Sequence, residues 1–292
     1  MVQEYLRPRS VEEAISFWQR LGEKARYIAG GTDVMVKIRD KQIRPEYLIS
    51  LKGIPGLDRI EYENGELRIG ALATHRRLEH SPIIRRDFPV LIDAVENIGS
   101  VQIRNVATLG GNIVNAVPSA DGAIPLITLG AKIRLVGPGG ERTVVLEDFF
   151  TGPGQTLLGH GELLCEFIIP KLPPRTGSSY WKHTRRAAME LPILGVSVLI
   201  SLAEDMQTCL EARIGLGVMA PTPMRARNAE MMLEGRKMDD QILEKAGKAA
   251  AAESRPRDTP RGEAWYRKEM VEVLVPRVGK TAIDRAKQTT ST

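Results

Sequence analysis

Cysteine is nearly absent from this chain. Only Cys165 and Cys209 occur, far apart and each inside apolar sequence. That excludes a disulfide framework, a zinc site and an iron–sulfur ligand set, and both thiols read as buried and inert. Histidines number 4; His75, His80, His160 and His183 have no paired spacing and read as surface or capping residues, with no metal site among them. No apolar run is long enough to span a bilayer: the best, residues 191–203, carries Pro192, Ser197 and Ser201. The start, Met1-Val2-Gln3-Glu4-Tyr5, lacks a basic-then-apolar leader pattern, so the cytoplasm is the expected compartment. Charge of one sign is not in large excess either. Against 36 acidic residues stand 41 basic ones, with no basic run interleaved with aromatics, so nucleic-acid binding lacks its footprint.

Glycine, in contrast, is plentiful, and two doublets stand out: Ile28-Ala29-Gly30-Gly31-Thr32-Asp33 and Thr108-Leu109-Gly110-Gly111-Asn112. Glycine lets a turning chain bring consecutive N–H groups against an anion, the way backbone nests hold phosphate. Either doublet alone is more often a turn or a packing point than a ligand contact. As a pair, about 80 residues apart, they suit a ligand with a diphosphate in its middle and groups to anchor at both ends. That describes a dinucleotide, although neither loop has the usual dinucleotide-binding pattern. Val278-Gly279-Lys280-Thr281 ends like a P-loop but has Leu274 where the first glycine belongs, and Gly152-Pro153-Gly154 reads as a turn.

At 292 residues with 42% apolar content, the chain has room for two domains with real cores. Ser10 and Glu13 form a capping box, and Val11, Ala14, Ile15, Trp18 and Leu21 follow at helical spacing up to Gly22. A strand at 26–28 leads into the first glycine loop, and another at 47–50 closes a first lobe near residue 55. A second lobe opens with a strand at 66–71. Helices are expected over about 88–98 and 123–129, a hairpin over 132–145 and a strand over 163–170. Residues 170–179 read as a linker. Three strands follow at 179–184, 193–203 and 209–218, then helices over about 226–234, 239–254 and 262–275. The expected division is 1–172, with lobes of about 1–55 and 56–172, then 177–280, with 281–292 as a polar tail.

The second glycine segment runs in full Gln102-Ile103-Arg104-Asn105-Val106-Ala107-Thr108-Leu109-Gly110-Gly111-Asn112-Ile113-Val114-Asn115-Ala116-Val117-Pro118-Ser119-Ala120-Asp121. It resembles the flavin loop of the FAD-binding subunit in the xanthine dehydrogenase and carbon monoxide dehydrogenase family of molybdenum hydroxylases. The stretch from Ile28 to Val34 resembles that family's first FAD loop. Phe149-Phe150-Thr151-Gly152-Pro153, Gly161-Glu162-Leu163-Leu164 and the segment from Arg261 to Met270 are further landmarks, so the resemblance covers nearly the whole chain. It implies an α+β fold. A two-lobed FAD-binding domain of the vanillyl-alcohol-oxidase-like (PCMH-type) kind precedes a C-terminal α+β domain with a three-stranded antiparallel sheet and helices.

Residue by residue, the resemblance assigns cofactor contacts to Ile28, Ala29, Gly30, Gly31, Thr32, Asp33 and Val34, with the backbone N–H groups and the Thr32 hydroxyl facing the diphosphate. It assigns further contacts to Thr108, Gly110, Gly111, Asn112 and Asp121. Asp121, as an acceptor, suits a sugar hydroxyl or a ring N–H rather than phosphate. Leu163 and Leu164 match an apolar edge near the flavin. Lys182 matches a lysine reaching over from the C-terminal domain, where it would stabilise negative charge on reduced flavin. Loop capping is the competing reading for Asp33, Asn112 and Asp121, and a solvated strand lysine for Lys182. Ile98 falls where some relatives carry an aromatic that can stack on the ring, and an isoleucine cannot stack.

The function implied is an oxidoreductase component that carries FAD and no catalytic residue beyond the flavin. The family's molybdopterin sits on a large subunit and its [2Fe-2S] clusters on a small one, assembled as a dimer of heterotrimers. Electrons leave to NAD, a quinone-linked carrier or oxygen. A flavin-free scaffold and a free-standing FAD-dependent reductase are the competing functions. A benzoyl-CoA reductase-type subunit with an added cluster lacks its cysteines here.

Overall fold

A computed structural model describes residues 2–288. Half of the capping box forms: Ser10 Oγ accepts the Glu13 N–H at 3.1 Å, while the Glu13 carboxylate reaches one residue further back, to the Arg9 N–H. The helix Val11–Leu21 then leads into a three-stranded parallel sheet ordered Glu4–Leu6, Tyr47–Ser50, Ala25–Ile28. The edge strand Glu4–Leu6 was not expected, because three residues are too few to show a period.

A five-stranded antiparallel sheet follows, ordered Ile60–Glu63, Glu66–Gly70, Leu163–Ile169, Lys132–Gly137, Gly140–Val145. The late strand Leu163–Ile169 thus inserts between two earlier hairpins and is buried at every position. Its one charged residue, Glu166, meets three arginines: Arg68 at 2.7 Å, Arg134 at 3.6 Å and Arg59. Burial pushes that carboxyl up, but hydrogen bonds from Arg59 and Arg68 outweigh it and hold it below the usual range.

Short helices cover this sheet, and each of four begins on a hydroxyl cap three residues upstream of the N–H it accepts. Thr74 caps His75–Glu79, Ser81 caps Pro82–Asp87, Ser100 caps Val101–Val106 and Thr108 caps Leu109–Val114. The expected helices appear in trimmed form as Pro89–Val95 and Ala123–Thr128. Five- or six-residue helices were not anticipated, since they are shorter than two turns and display no period.

In the C-terminal part, Thr176–His183, Leu194–Leu202 and Cys209–Gly217 form the expected antiparallel strands, and a two-residue strand, Met224–Arg225, extends the sheet to four. The linker ends sooner than expected, because pairing begins at Thr176. Arg227–Leu233 and Asp240–Glu253 match expectation. The last helix does not. It runs Ala264–Gln288 straight through Pro276, so residues 281–288 are helical rather than a polar tail, and 289–292 lie outside the described residues. Proline ordinarily ends a helix. Here burial of Val271, Leu274, Val275, Val278, Ala282 and Ile283 on both sides of it outweighs the lost hydrogen bond.

The two parts meet on a broad seam. Ile124, on the helix Ala123–Thr128, fills the space where Gly195, Gly215 and Gly217 carry no side chain. The Asp93 carboxylate accepts from Arg285 at 2.6 and 3.0 Å and from the Tyr180 N–H at 3.1 Å. Thr128 and Ser197 hydroxyls bond at 2.9 Å in the interior.

The end of the last helix gives the clearest test of this packing. A Cβ at Gly177 would lie 2.1 Å from the Ala282 carbonyl oxygen. Gly177→Ala is expected to cost about 3 kcal/mol by overpacking, seen as a lowered urea midpoint; an unchanged midpoint would mean that residues 281–288 are not docked there.

Candidate functional site

The first glycine loop leaves the sheet at Ile28, whose carbonyl accepts the Leu51 N–H at 2.9 Å. Gly31 turns with φ of +79°. Gly30 lies against the second segment so closely that a Cβ there would sit 2.0 Å from the Val106 carbonyl oxygen. Within the described residues, no hydrogen bond uses the N–H groups of Gly30, Gly31, Thr32 or Asp33. Those donors are free to meet an anion. Asp33 precedes the helix Val34–Arg39 but does not cap it. Its carboxylate instead accepts Asn115 Nδ2 at 3.0 Å, while Asn115 Oδ1 accepts Lys37 Nζ at 2.7 Å. Asn115, which the sequence reading quoted without assigning, is therefore the side chain that ties the two glycine segments together.

The second doublet is not a loop but the first turn of Leu109–Val114. Thr108 caps it by accepting the Gly111 N–H at 3.1 Å. Gly110 is buried and donates to the Ala71 carbonyl at 2.8 Å, and a Cβ on it would strike Ala71 at 2.7 Å. Its place is therefore explained by packing within the chain. Gly111 is exposed, and its missing Cβ would meet only Thr108 Oγ1. Asn112 Oδ1 is buried without a hydrogen-bond partner. Such an orphaned acceptor costs roughly 1–3 kcal/mol unless something outside the chain donates to it. Beside this seam opens a cleft of about 290 Å³, walled by Lys52, Ile54, Asp58, Leu72, Val106 and Thr108.

Asp121 and Lys182 come together from the two halves of the chain. Lys182 Nζ donates to Asp121 Oδ2 at 2.9 Å and to the Asn97 carbonyl at 2.8 Å. Tyr180, two residues along the same strand, donates its hydroxyl to Asp121 Oδ1 at 2.7 Å. Burial drives the Asp121 carboxyl up from its ordinary value, and Lys182 and Tyr180 pull it back. Lys182 is not a solvated strand lysine. The pair borders the glycine seam, because Gly122 abuts Asn112 Oδ1, where a Cβ would stand 2.8 Å away.

Other expected contacts lie less openly. Leu163 and Leu164 are buried in the five-stranded sheet, in two different apolar clusters. Ile98 packs onto the core with Leu164, and its carbonyl accepts from Arg104 at 3.2 Å. His75 is not at the surface as expected: burial holds its imidazole neutral, with a pKa lowered to about 4. Burial pushes the Cys165 thiol up to about 11 and the Cys209 thiol up to about 12, so both are unreactive at neutral pH. Among the described residues no three His, Cys, Asp or Glu side chains gather as metal ligands, and no helix is long and apolar enough to cross a membrane.

Comparison with known proteins identifies the family. Residues 1–172 match the family described as the FAD binding domain in molybdopterin dehydrogenase, and residues 179–282 match the CO dehydrogenase flavoprotein C-terminal domain. The chain is 34% identical over 265 residues to a putative xanthine dehydrogenase FAD-binding subunit of Escherichia coli K12, covering 90% of each. It is 33% identical over 284 residues to the carbon monoxide dehydrogenase medium chain of Afipia carboxidovorans, covering 97% of this chain and 98% of that one. Among solved structures, carbon monoxide dehydrogenase from Hydrogenophaga pseudoflava superposes with a TM-score of 0.93 at 33% identity over 98% of both chains.

The buried ion pair makes a pH-dependent prediction. Lys182→Met leaves Asp121 buried without its cation and should cost about 3–5 kcal/mol near neutral pH. A carboxyl with a raised folded pKa loses stability as pH rises through that value, so the deficit should shrink as pH falls toward the ordinary aspartate range. Urea titrations of Lys182→Met and of Lys182→Met/Asp121→Asn check this: the double variant should recover stability at neutral pH, and equal deficits at all pH values would refute the pairing.

Proposed function

This chain belongs to the family of FAD-binding medium subunits of molybdenum hydroxylases, and we propose that it passes electrons from [2Fe-2S] clusters on a partner subunit, through bound FAD, to an external acceptor. One observation carries the cofactor part of this reading. At the seam between the glycine segments, the N–H groups from Gly30 to Asp33 and the orphaned Asn112 Oδ1 have no partner in the chain. A diphosphate needs donors and a ribityl or ring group supplies donors in return, so the unpaired set fits FAD.

In this reading the N–H groups of Ala29 to Asp33 and the Thr32 hydroxyl hold the diphosphate, with Ile28 and Val34 fixing the ends of the loop. Thr108 and the uncovered backbone of Gly111 line the opposite wall, and Asn112 accepts from the cofactor. Gly110 keeps that wall in place through Ala71. Leu163 and Leu164 close the apolar side. Lys182, held by Asp121 and the Asn97 carbonyl, keeps a third ammonium donor for negative charge nearby. FAD would supply the two-electron store that links one-electron donors to a two-electron acceptor.

The proposed partners are a molybdopterin-binding large subunit and a [2Fe-2S] small subunit in a dimer of heterotrimers. NAD, a quinone-linked carrier or oxygen would be the acceptor. The proposed division puts the FAD-binding domain at 1–172 and the C-terminal domain from 177 into the helix Ala264–Gln288.

The purified chain, mixed with FAD and freed of excess, is expected to keep a flavin spectrum, and Gly111→Trp to lose it. Because Gly111 is exposed, that variant should keep the parent's thermal midpoint without FAD. Asn112→Leu should weaken FAD about tenfold through one lost hydrogen bond. A parent that holds no flavin, alone or co-expressed with the partner subunits, would sink the FAD reading and leave the scaffold.

A further inference from the structure

Some arginines are paired with carboxylates, among them Arg59, Arg68, Arg77, Arg86, Arg142 and Arg285; others are not, and four of these lie together. Among the described residues, Arg185, Arg186, Arg257 and Arg261 have no carboxylate within salt-bridge distance, and all are exposed. They are neighbours. Arg185 donates to the carbonyls of Pro260 and Arg261, at 3.3 and 2.8 Å, which joins the loop after Thr176–His183 to the loop before the last helix. Arg267, buried beneath, donates to the Arg257 carbonyl and to Thr259 Oγ1, so the loop carrying the arginines is held from within. The local carboxylates keep their charge but are turned onto neutral donors of the chain rather than onto these arginines: Asp258 accepts the Ala264 N–H, Glu190 the Arg186 N–H and Glu263 the Trp265 indole.

The same region exposes two of the chain's 3 tryptophans. Trp181 is 54% exposed and Trp265 59%. They lie at the two ends of a short aromatic run: His183, which shares a strand face with Trp181, bonds Tyr266 at 2.9 Å, and Tyr266 meets the Trp265 ring edge-on. Exposed tryptophans amid arginines are the composition of interface hot spots, not of a solvated face.

We propose that this surface docks the electron-donating partner subunit through a carboxylate-rich face of that partner. The inference rests on the reading of the chain as one subunit of an electron-transferring complex. Charge selects the occupant: the four arginines and the buried Arg267 outnumber Asp258, Glu190 and Glu263 around them, so an acidic face would be attracted and would supply the ion pairs these arginines lack in the chain. Position selects it too. Trp181 and His183 lie on one face of the strand Thr176–His183, and Tyr180 and Lys182, which hold Asp121 beside the glycine seam, lie on the other. A donor seated against Trp181 and the start of the last helix is one strand away from the proposed flavin groove.

The test uses the chain co-expressed with both partner subunits and compares the parent with Arg257→Glu/Arg261→Glu, Arg257→Lys/Arg261→Lys and Trp265→Ala. Affinity for the iron–sulfur subunit is read over a salt series, with FAD content and thermal midpoint as folding controls. Charge reversal is expected to weaken that subunit's binding about 30-fold at low salt, as is Trp265→Ala, while the lysine variant stays near the parent. Both losses should come with unchanged FAD content. Parent-like binding by the charge-reversed and Trp265→Ala chains, release of the large subunit instead, or dimerisation of the chain alone through this patch would each overturn the proposal. Should charge reversal unfold the chain, lowering its midpoint, Trp265→Ala decides alone. A parent that keeps FAD but binds neither subunit would sink the complex and this proposal together, whereas an indifferent variant sinks the proposal only.

Discussion

A carboxylate taken almost wholly out of water must meet its compensation at a fixed place, and Asp121 meets it across the seam between the two halves of the chain. Lys182 and Tyr180 reach it from one face of one strand, at 2.9 and 2.7 Å. Their spacing of two residues matches the strand period, so a register slip by one would withdraw both partners and leave the charge uncompensated. The seating of Ile124 against side-chain-free glycines allows the approach, but apolar packing alone tolerates small rotations. The ion pair does not. It therefore sets how the C-terminal sheet sits beside the glycine segments, and with it the shape of any groove between them.

The glycine segments obey a second constraint of the same kind. Gly30 touches the Val106 carbonyl, and Asn115 joins Asp33 to Lys37. The unpaired N–H groups of the first loop thus face a wall whose distance is fixed by contact and by two hydrogen bonds. Organisation of this sort lowers the entropy that a bound ligand would otherwise have to remove. It also separates glycines by role. Gly30 and Gly110 are required by close approach within the chain, whereas Gly111 is left uncovered.

Where the sequence carried a period or a punctuation mark, it was legible. The Ser10 helix cap, the hairpin around Pro138-Gly139 and the strand Leu163–Ile169 all follow the rules that anticipated them. The short hydroxyl-capped helices were not legible, because five or six residues cannot display helical spacing. Pro276 misled for a different reason: the apolar residues after it are spaced for a helix, and tertiary burial outweighed the local breaker. In the site, motif glycines and Lys182 were readable as candidates, but their separation into packing and open positions depends on contacts some 35 to 80 residues away. Asn115 stood within the second glycine segment and Tyr180 within the expected strand at 179–184, without any local feature to mark them. His75 was misplaced because nothing in its immediate sequence reports burial.

The strand Thr176–His183 connects these threads. Strand alternation sends Tyr180 and Lys182 inward to Asp121 and leaves Trp181 and His183 on the face toward the last helix. One element thereby fixes the inner groove and supplies part of an outer surface on which arginines lack carboxylates. Neither face can be re-registered without the other. The last helix reinforces the coupling, since Tyr266 near its start bonds His183 and Arg285 near its end bonds Asp93 beside Tyr180. Load placed on the outer face at Tyr266 is then borne by the same strand that positions Lys182. Such shared support holds both faces of the strand at once, and it depends on the buried side chains on either side of Pro276, which carry the last helix past Val275 as far as Arg285.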